Sequence, residues 1–448
     1  MKKVKIISII LFFVTLAIPL STFNFTPNQI SEIDNRKLTE NPFTSESDDV
    51  LKDSTAYFQD RIGLRNQMIY GYTLLHDKIF SEMVHPSYTY GQDDYVYFKM
   101  SKNNKYDDYE KTFVNFVDKA KNYCETRDIP FVFAFSPSKI STINNKLPIG
   151  VNYDYSWVYD MFSEMNHRNI RYVDNLKALK ELYNSGEKIF NKQYNAGHWN
   201  DLGAFYGVNE ILKELQNDHP TIHINSLDEF EIENKLQTSL MVSQFPIEDY
   251  DIIFTLKKPT KNIIELYKDE LKVDKRYPTI GYYVNENATS ENKTRVLVFQ
   301  GSYMNGMGYK FFENACAEYI HIHDYQNVID MEYYINIFQP DCVVFECAEY
   351  VLNDTYFDSS KMAEKTFNPA LSQVTEKNEI VLTESDCEIN TDGNITDISV
   401  TVPNGYKYYY LTAGGITLDL VKDENGKHVT NIRSDEFNSE KLTLICAN

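Results

Sequence analysis

Arg295-Val296-Leu297-Val298-Phe299-Gln300-Gly301-Ser302-Tyr303 decides how this chain is read as a fold. Four unbroken apolar residues lead through Gln300 into a Gly-Ser turn, the pattern of a strand buried on both faces. Helical spacing follows from about Gly308 to Glu318, then an apolar run at Tyr319–Ile322. Helical spacing returns over Val328–Phe338, and Asp341–Phe345 is a further buried run. Strand, helix, strand, helix, strand predicts parallel pairing through right-handed crossovers.

The same rhythm runs upstream. Phe113, Phe116, Val117, Ala120 and Tyr123 recur at helical spacing, and Ile129–Phe135 is a continuous apolar run ending at Ser136-Pro137. Helices are expected at Tyr155–His167 and Asn175–Tyr183 around a short strand at Ile170–Val173, and again at Asp201–Leu215, where Gly203-Ala204 admits close packing. One amphipathic helix is expected from Tyr57 to about Ile79, and Tyr88–Met100 reads as a hairpin around Gly91-Gln92-Asp93-Asp94. Residues 226–290 are charged and partly alternating, which predicts a β-rich insertion; 379–448 carries short alternating runs, which predicts a small all-β domain. The expected fold class is α/β, a doubly wound parallel sheet. Its domain is split between 86–225 and 291–365 and preceded by a leader (1–23) and by a spacer with an N-terminal helix (24–85).

With 448 residues, 42% of them apolar and 14% aromatic, the chain has material for a sizeable core. The formal charge is −21, and Lys2, Lys3 and Lys5 lie in the leader, so the remainder is more negative still. Phosphate backbones would be repelled, and nucleic acid is not an expected partner. Three lysines ahead of the apolar run 6–23 predict export, with the N-terminus left in the cytoplasm. About 20 residues suffice to cross a bilayer. An uncleaved membrane anchor and a cleaved signal peptide both remain open; the body is extracytoplasmic in either case. Six cysteines are scattered without a CxxC pair, which removes zinc ribbons and thioredoxin chemistry. Export permits a Cys387–Cys446 disulfide; buried free thiols are the other outcome.

Ser302 follows a strand and opens a helical stretch. In an open parallel sheet that is where ligands bind, and the backbone amides of Gly301 and Ser302 are candidate oxyanion donors. Serine needs a base within reach, and His198, in Gly197-His198-Trp199-Asn200, has the suitable chemistry. His321-x-His323-Asp324 offers two imidazoles on one strand face but no third ligand, so neither a metal nor a cofactor is expected. Glu346 and Glu349 form a weaker carboxylate pair of the kind glycosidases use.

Several stretches together resemble the DHHW and AlgX/AlgJ group of the SGNH hydrolase-like superfamily. They are Ser31-Glu32-Ile33-Asp34-Asn35-Arg36-Lys37-Leu38 with Pro42, Phe58–Arg65, Gly91–Phe98, Ser136-Pro137-Ser138-Lys139 with Lys146-Leu147-Pro148, Gly197–Asn200 with Gly203-Ala204, Phe299–Tyr303, and Pro340–Glu346. The resemblance implies an SGNH/flavodoxin-like sheet and O-acetylation, or de-esterification, of a cell-surface polysaccharide, as in alginate acetylation. Ser302 would be the nucleophile and His198 the base, with Trp199, Tyr303, Asn305 and Glu346 at the substrate. It also implies an acyl donor supplied by a membrane-bound partner. The family places an acidic residue two positions before the histidine; here that position is Ala196. Gln300-Gly301 stands in place of Gly-Asp, and Glu349-Tyr350 in place of Glu-Arg. Asn195, Asp201 and Glu346 are the residues left to orient the imidazole. Loss of that carboxylate makes a catalytically inactive glycan-binding or assembly protein the rival reading. The C-terminal β domain has two open roles, gripping glycan or packing as a spacer.

Overall fold

The computed structural model describes the whole chain except residues 1, 28, 32, 34–36, 45–48, 100–104, 242, 244, 384–385, 424 and 440–441, and the side chains of Lys2 and Lys3. Glu32, Asp34, Asn35 and Arg36 of the first resembling stretch lie outside the described residues.

A seven-stranded sheet organises the molecule. Its strands are Phe131–Ser136 (β1), Tyr172–Asp174 (β2), Lys261–Asn262 (β3), Ile280–Val284 (β4), Arg295–Gln300 (β5), Glu318–His323 (β6) and Cys342–Ala348 (β7), in the order β2-β1-β7-β5-β6-β4-β3. The five strands from β2 to β6 pair in parallel. β1, β7 and five of the six residues of β5 are buried, which accounts for the apolar runs at 131–135, 342–345 and 296–299.

The sheet is mixed rather than wholly parallel. β4 pairs antiparallel with β6, and β3 with β4, so one edge is built from residues expected to form a separate insertion. Only the hairpin Phe230–Ser239/Pro246–Leu256 stands apart. Its long strands alternate and are mostly exposed, whereas the short β4 carries two buried residues, Gly281 and Tyr282, and hides in a segment dominated by charge.

The helix expected over 57–79 is two helices, Val50–Arg61 and Arg65–Phe80. The break is tertiary in origin. The Gly63 amide donates to the Pro19 carbonyl at 2.8 Å, and a Cβ on Gly63 would lie 1.9 Å from Thr22 Oγ1. Leu64 then takes a left-handed conformation, φ 60°, to start the next helix.

The C-terminal region forms two four-stranded antiparallel sheets around a core that includes Ile398, Leu411, Leu418, Ile432 and Leu444. It docks through Arg127–Asp419 (2.9 Å), Arg295–Glu436 (3.2 Å) and Asn336 on the Asp419 carbonyl (3.0 Å). Arg295 begins β5, whereas Ser302 follows its end, so this domain braces the amino ends of the strands, about 20 Å from Ser302 at ~3.3 Å per residue. Cys387 and Cys446 are free thiols and lie on different sheets, so the disulfide is not formed.

Candidate active site

The carboxyl ends of the parallel strands gather the chemistry. Ser302 follows β5, Asp324 follows β6, Glu349 and Tyr350 follow β7, and Ser138 and Lys139 follow β1. His198 comes from the loop ahead of helix Asp201–Leu215, whose N-cap Asn200 accepts from the Gly203 amide at 3.0 Å.

His198 Nε2 lies 2.8 Å from Ser302 Oγ. The Tyr350 hydroxyl reaches the same oxygen at 2.6 Å from the other side. Burial pushes the imidazole down to about 4, so at neutral pH it is uncharged and able to accept a proton. Among the described residues no side chain is hydrogen-bonded to its Nδ1.

The groups expected to orient the ring are engaged elsewhere. Asn195 Oδ1 accepts the backbone amides of Gly197 (3.2 Å) and His198 (3.0 Å), and its Nδ2 faces Met241, so it shapes the loop and does not touch the imidazole nitrogens. Asp201 pairs with Lys310 at 2.6 Å. Glu346 accepts the Gly301 amide at 2.8 Å. Ala196 is buried among Met83, Tyr88, Val96, Leu240 and Phe245, an apolar pocket.

The Glu346 contact also corrects the oxyanion expectation, because the Gly301 N–H is already spent. Ser302 starts the helical stretch that continues through the π-helical turn Met304–Gly308, where first-turn amides have no preceding carbonyl to bond. Its own N–H is the backbone donor that remains.

Trp199, Tyr303 and Glu346 are buried and do not present a substrate surface. Trp199 donates from Nε1 to the Tyr303 carbonyl at 3.2 Å, while the Tyr303 hydroxyl donates to the Gly197 carbonyl at 3.0 Å. These rings bolt the histidine loop to the serine turn; the His198 and Tyr303 centroids are 4.5 Å apart. Asn305 is half-buried and accepts from Gln300 Nε2 at 2.8 Å.

Lys139 supplies a second bolt, one that its sequence stretch alone did not reveal. Its buried ammonium donates to the carbonyls of Val96 (2.8 Å), Lys192 (2.9 Å) and Asn195 (3.2 Å), and its amide donates to the Gly197 carbonyl (2.9 Å). Burial pushes that ammonium down to about 7. Lys139→Met should strand three carbonyls, cost about 2–4 kcal/mol and lower turnover by displacing His198. Thermal melts read alongside ester hydrolysis check this, and an unchanged melt would refute it.

Two further acidic groups sit behind the turn. Asp324 and Glu346 arrive from the strands on either side of β5, and a Cβ on Gly301 would lie 3.7 Å from Asp324 and 3.8 Å from Glu346. Burial raises both, Glu346 to about 7. The space beside the turn is thus filled by carboxyls from neighbouring strands rather than by residue 301 itself. Glu349 accepts from the Ser138 amide (2.8 Å) and the Tyr153 hydroxyl (2.7 Å), and like Glu346 it is buried, which leaves no exposed glycosidase pair. His321 and His323 are stacked on tyrosines in the interior, and among the described residues no group of three or more metal-ligating side chains occurs.

No protein-family model and no curated protein matches the chain. Among solved structures it is similar to PatB1 of Bacillus cereus, at 16% identity over 58% of this chain and 96% of that one, with a TM-score of 0.46. It is similar to the O-acetyltransferase domain of AlgJ from Pseudomonas putida, at 13% identity over 62% and 98% of the two chains, TM-score 0.42. A DHHW family protein from Eubacterium siraeum matches at 14% identity over 63% and 100%, TM-score 0.41.

Proposed function

We propose that this chain is a serine-nucleophile acyltransferase or esterase of the cell envelope, acting on O-acetyl groups of a polysaccharide. The observation that carries the reading is the 2.8 Å contact between His198 Nε2 and Ser302 Oγ at the carboxyl end of β5. A hydroxyl and an uncharged imidazole at that distance can exchange a proton as the oxygen attacks a carbonyl. The polysaccharide and the acetyl group come from the family resemblance, in keeping with the AlgJ domain's description as an O-acetyltransferase.

Acylation would place the acetyl group on Ser302 Oγ while His198 takes the hydroxyl proton and passes it to the donor's departing oxygen. An acceptor hydroxyl would then give its proton to His198, attack the ester and release the serine. The acetyl donor is assigned to a membrane-bound partner. Among the described residues one helix, Val4–Ser21, is long and apolar enough to cross a membrane, and it supports an anchor or a signal sequence.

Incubation with p-nitrophenyl acetate followed by mass spectrometry of the Ser302 peptide tests the reading. An acetyl group on Ser302 in the wild type and none in His198→Ala is the expected result. Wild-type labelling in His198→Ala would reject it.

The acid limb of kcat/KM should lie near pH 4. The groups facing the imidazole, Ser302, Tyr303 and Tyr350, are all uncharged, and burial lowers its pKa, so His198 remains a competent base below its usual titration range. A limb near 6.5 would show instead that the ring is solvated in solution.

The inactive reading also has an observation behind it, the absence among the described residues of a carboxylate at Nδ1 together with the largely apolar surroundings of Ala196. It predicts that wild type, Ser302→Ala and His198→Ala hydrolyse the ester at equal rates.

A further inference from the structure

We infer that Tyr350 is a catalytic residue: its phenol donates a hydrogen bond to Ser302 Oγ and stabilises the charge that builds there during acyl transfer. The inference rests on the reading of Ser302 as the nucleophile.

The hydrogen-bond roles at Oγ determine the direction. A serine hydroxyl has one proton and two acceptor sites. If an uncharged His198 takes that proton through Nε2, the 2.6 Å contact on the other side must be a donation from Tyr350. Ser302 is also the only hydrogen-bond partner of the Tyr350 hydroxyl among the described residues, so the phenol proton has a single protein acceptor. A phenol's ordinary pKa, about 10, already keeps it protonated and donating at neutral pH, and the partial desolvation of its ring shifts it further in that direction.

The donor is held in place before substrate arrives. Tyr350 lies in the turn Glu349–Val351 directly after β7. Its neighbour Glu349 is buried and takes hydrogen bonds from the Ser138 amide and the Tyr153 hydroxyl, which fixes the turn. The Tyr350 ring stands edge-on to His198, with centroids 5.8 Å apart and planes at 75°. It remains 40% exposed, so one side faces the space from which an acyl donor would approach. A donor that needs no reorganisation is what makes such bonds effective on a developing anion.

The step balances without a further reagent. As Oγ attacks the acyl carbonyl, the O–H bond breaks toward His198 Nε2, a C–O bond forms and the carbonyl electron pair moves to oxygen. Collapse expels the donor's alcohol, which takes the proton from His198. In the second half the acceptor hydroxyl gives its proton to His198, attacks the ester carbon and displaces Oγ, which recovers the proton. Tyr350 keeps its own proton at every stage and serves Oγ both as it attacks and as it leaves. The arrangement supports the nucleophile oxygen from the front, in a site where no side chain among the described residues is hydrogen-bonded to the imidazole from behind.

Hydrolysis of p-nitrophenyl acetate by the full chain, comparing wild type, Tyr350→Phe and Ser302→Ala, tests the assignment. Phenylalanine keeps the ring contacts and removes only the donor. It should lower kcat about 10- to 100-fold, the worth of a hydrogen bond to a charged oxygen, with KM and the thermal midpoint little changed. Placing 3-fluorotyrosine at 350 restores a hydroxyl donor and should return at least a third of the lost rate. Wild-type turnover in Tyr350→Phe beside an inactive Ser302→Ala would overturn the role of Tyr350 and leave the nucleophile standing. Wild-type turnover in Ser302→Ala would overturn both.

Discussion

Ser302→Ala should lower ester turnover by about 10³-fold, and His198→Ala by a similar factor, with the double variant no worse than either. The size follows from how a triad's parts combine. In subtilisin, losing the serine or the histidine costs about 2 × 10⁶ in kcat, and losing the aspartate alone about 3 × 10⁴. A site that already lacks the acid therefore has about 10² left to lose. A donor such as Tyr350 adds roughly another factor of ten. The non-additivity is the sharper signature, because Ser302 and His198 move one proton between them and removing either partner removes the step. Steady-state rates of the three variants decide it. Additive losses would mean that the two residues do not act as a unit.

Ala196→Asp should damage the protein rather than repair it. The resemblance places an acidic residue at this position, and a simple loss by mutation would be reversible. Here the surroundings have changed with the residue. Ala196 is buried with Met83, Tyr88, Val96, Leu240 and Phe245, with Tyr90, Phe98 and Ile247 beside them, and none of these side chains carries a positive charge to pair with a carboxylate. An unpaired carboxyl in such a pocket either pays a desolvation cost or takes up a proton, and in the second case it can no longer stabilise an imidazolium. The expected cost is about 3 kcal/mol or more, a fall of roughly 5 °C or more in Tm, with turnover unchanged or lower. Tenfold faster ester hydrolysis at an unaltered Tm would show that the new side chain reaches Nδ1 and would refute this account.

The strands that pair in parallel were legible because burial on both faces writes itself as an uninterrupted apolar run, as at 131–135 and 342–345. Helix Asp201–Leu215 was legible for the opposite reason, a clean helical period behind an asparagine cap. The antiparallel strand Ile280–Val284 was not, because a five-residue strand in a charged segment has too little pattern to separate it from its neighbours. Nor was the break at Ile62–Leu64, which depends on a contact with residues some forty positions earlier. At the site, Ser302 and His198 could be singled out from residue type and flanking pattern. Which group serves which atom could not. Asn195, Trp199, Tyr303 and Glu346 all had plausible chemistry, and the folded chain uses them to hold backbone. Tyr350 was visible only as a departure from a family pattern. The signal that could have raised it is its place two residues beyond a buried strand, at the sheet end where ligands bind.

The elbow at Gly63 bears on reach. The Pro19 carbonyl near the end of the apolar helix is bonded to Gly63, the Asn24 amide to the Arg61 carbonyl at 2.8 Å, and the Arg61 guanidinium to the Thr39 carbonyl at 3.0 Å. A leader joined in this way is not a slack string on which the rest of the molecule drifts. If that helix spans a bilayer, the start of the helix pair Val50–Arg61 and Arg65–Phe80 is set at a fixed height and heading above the lipid, by a few backbone amides rather than by the length of a tether.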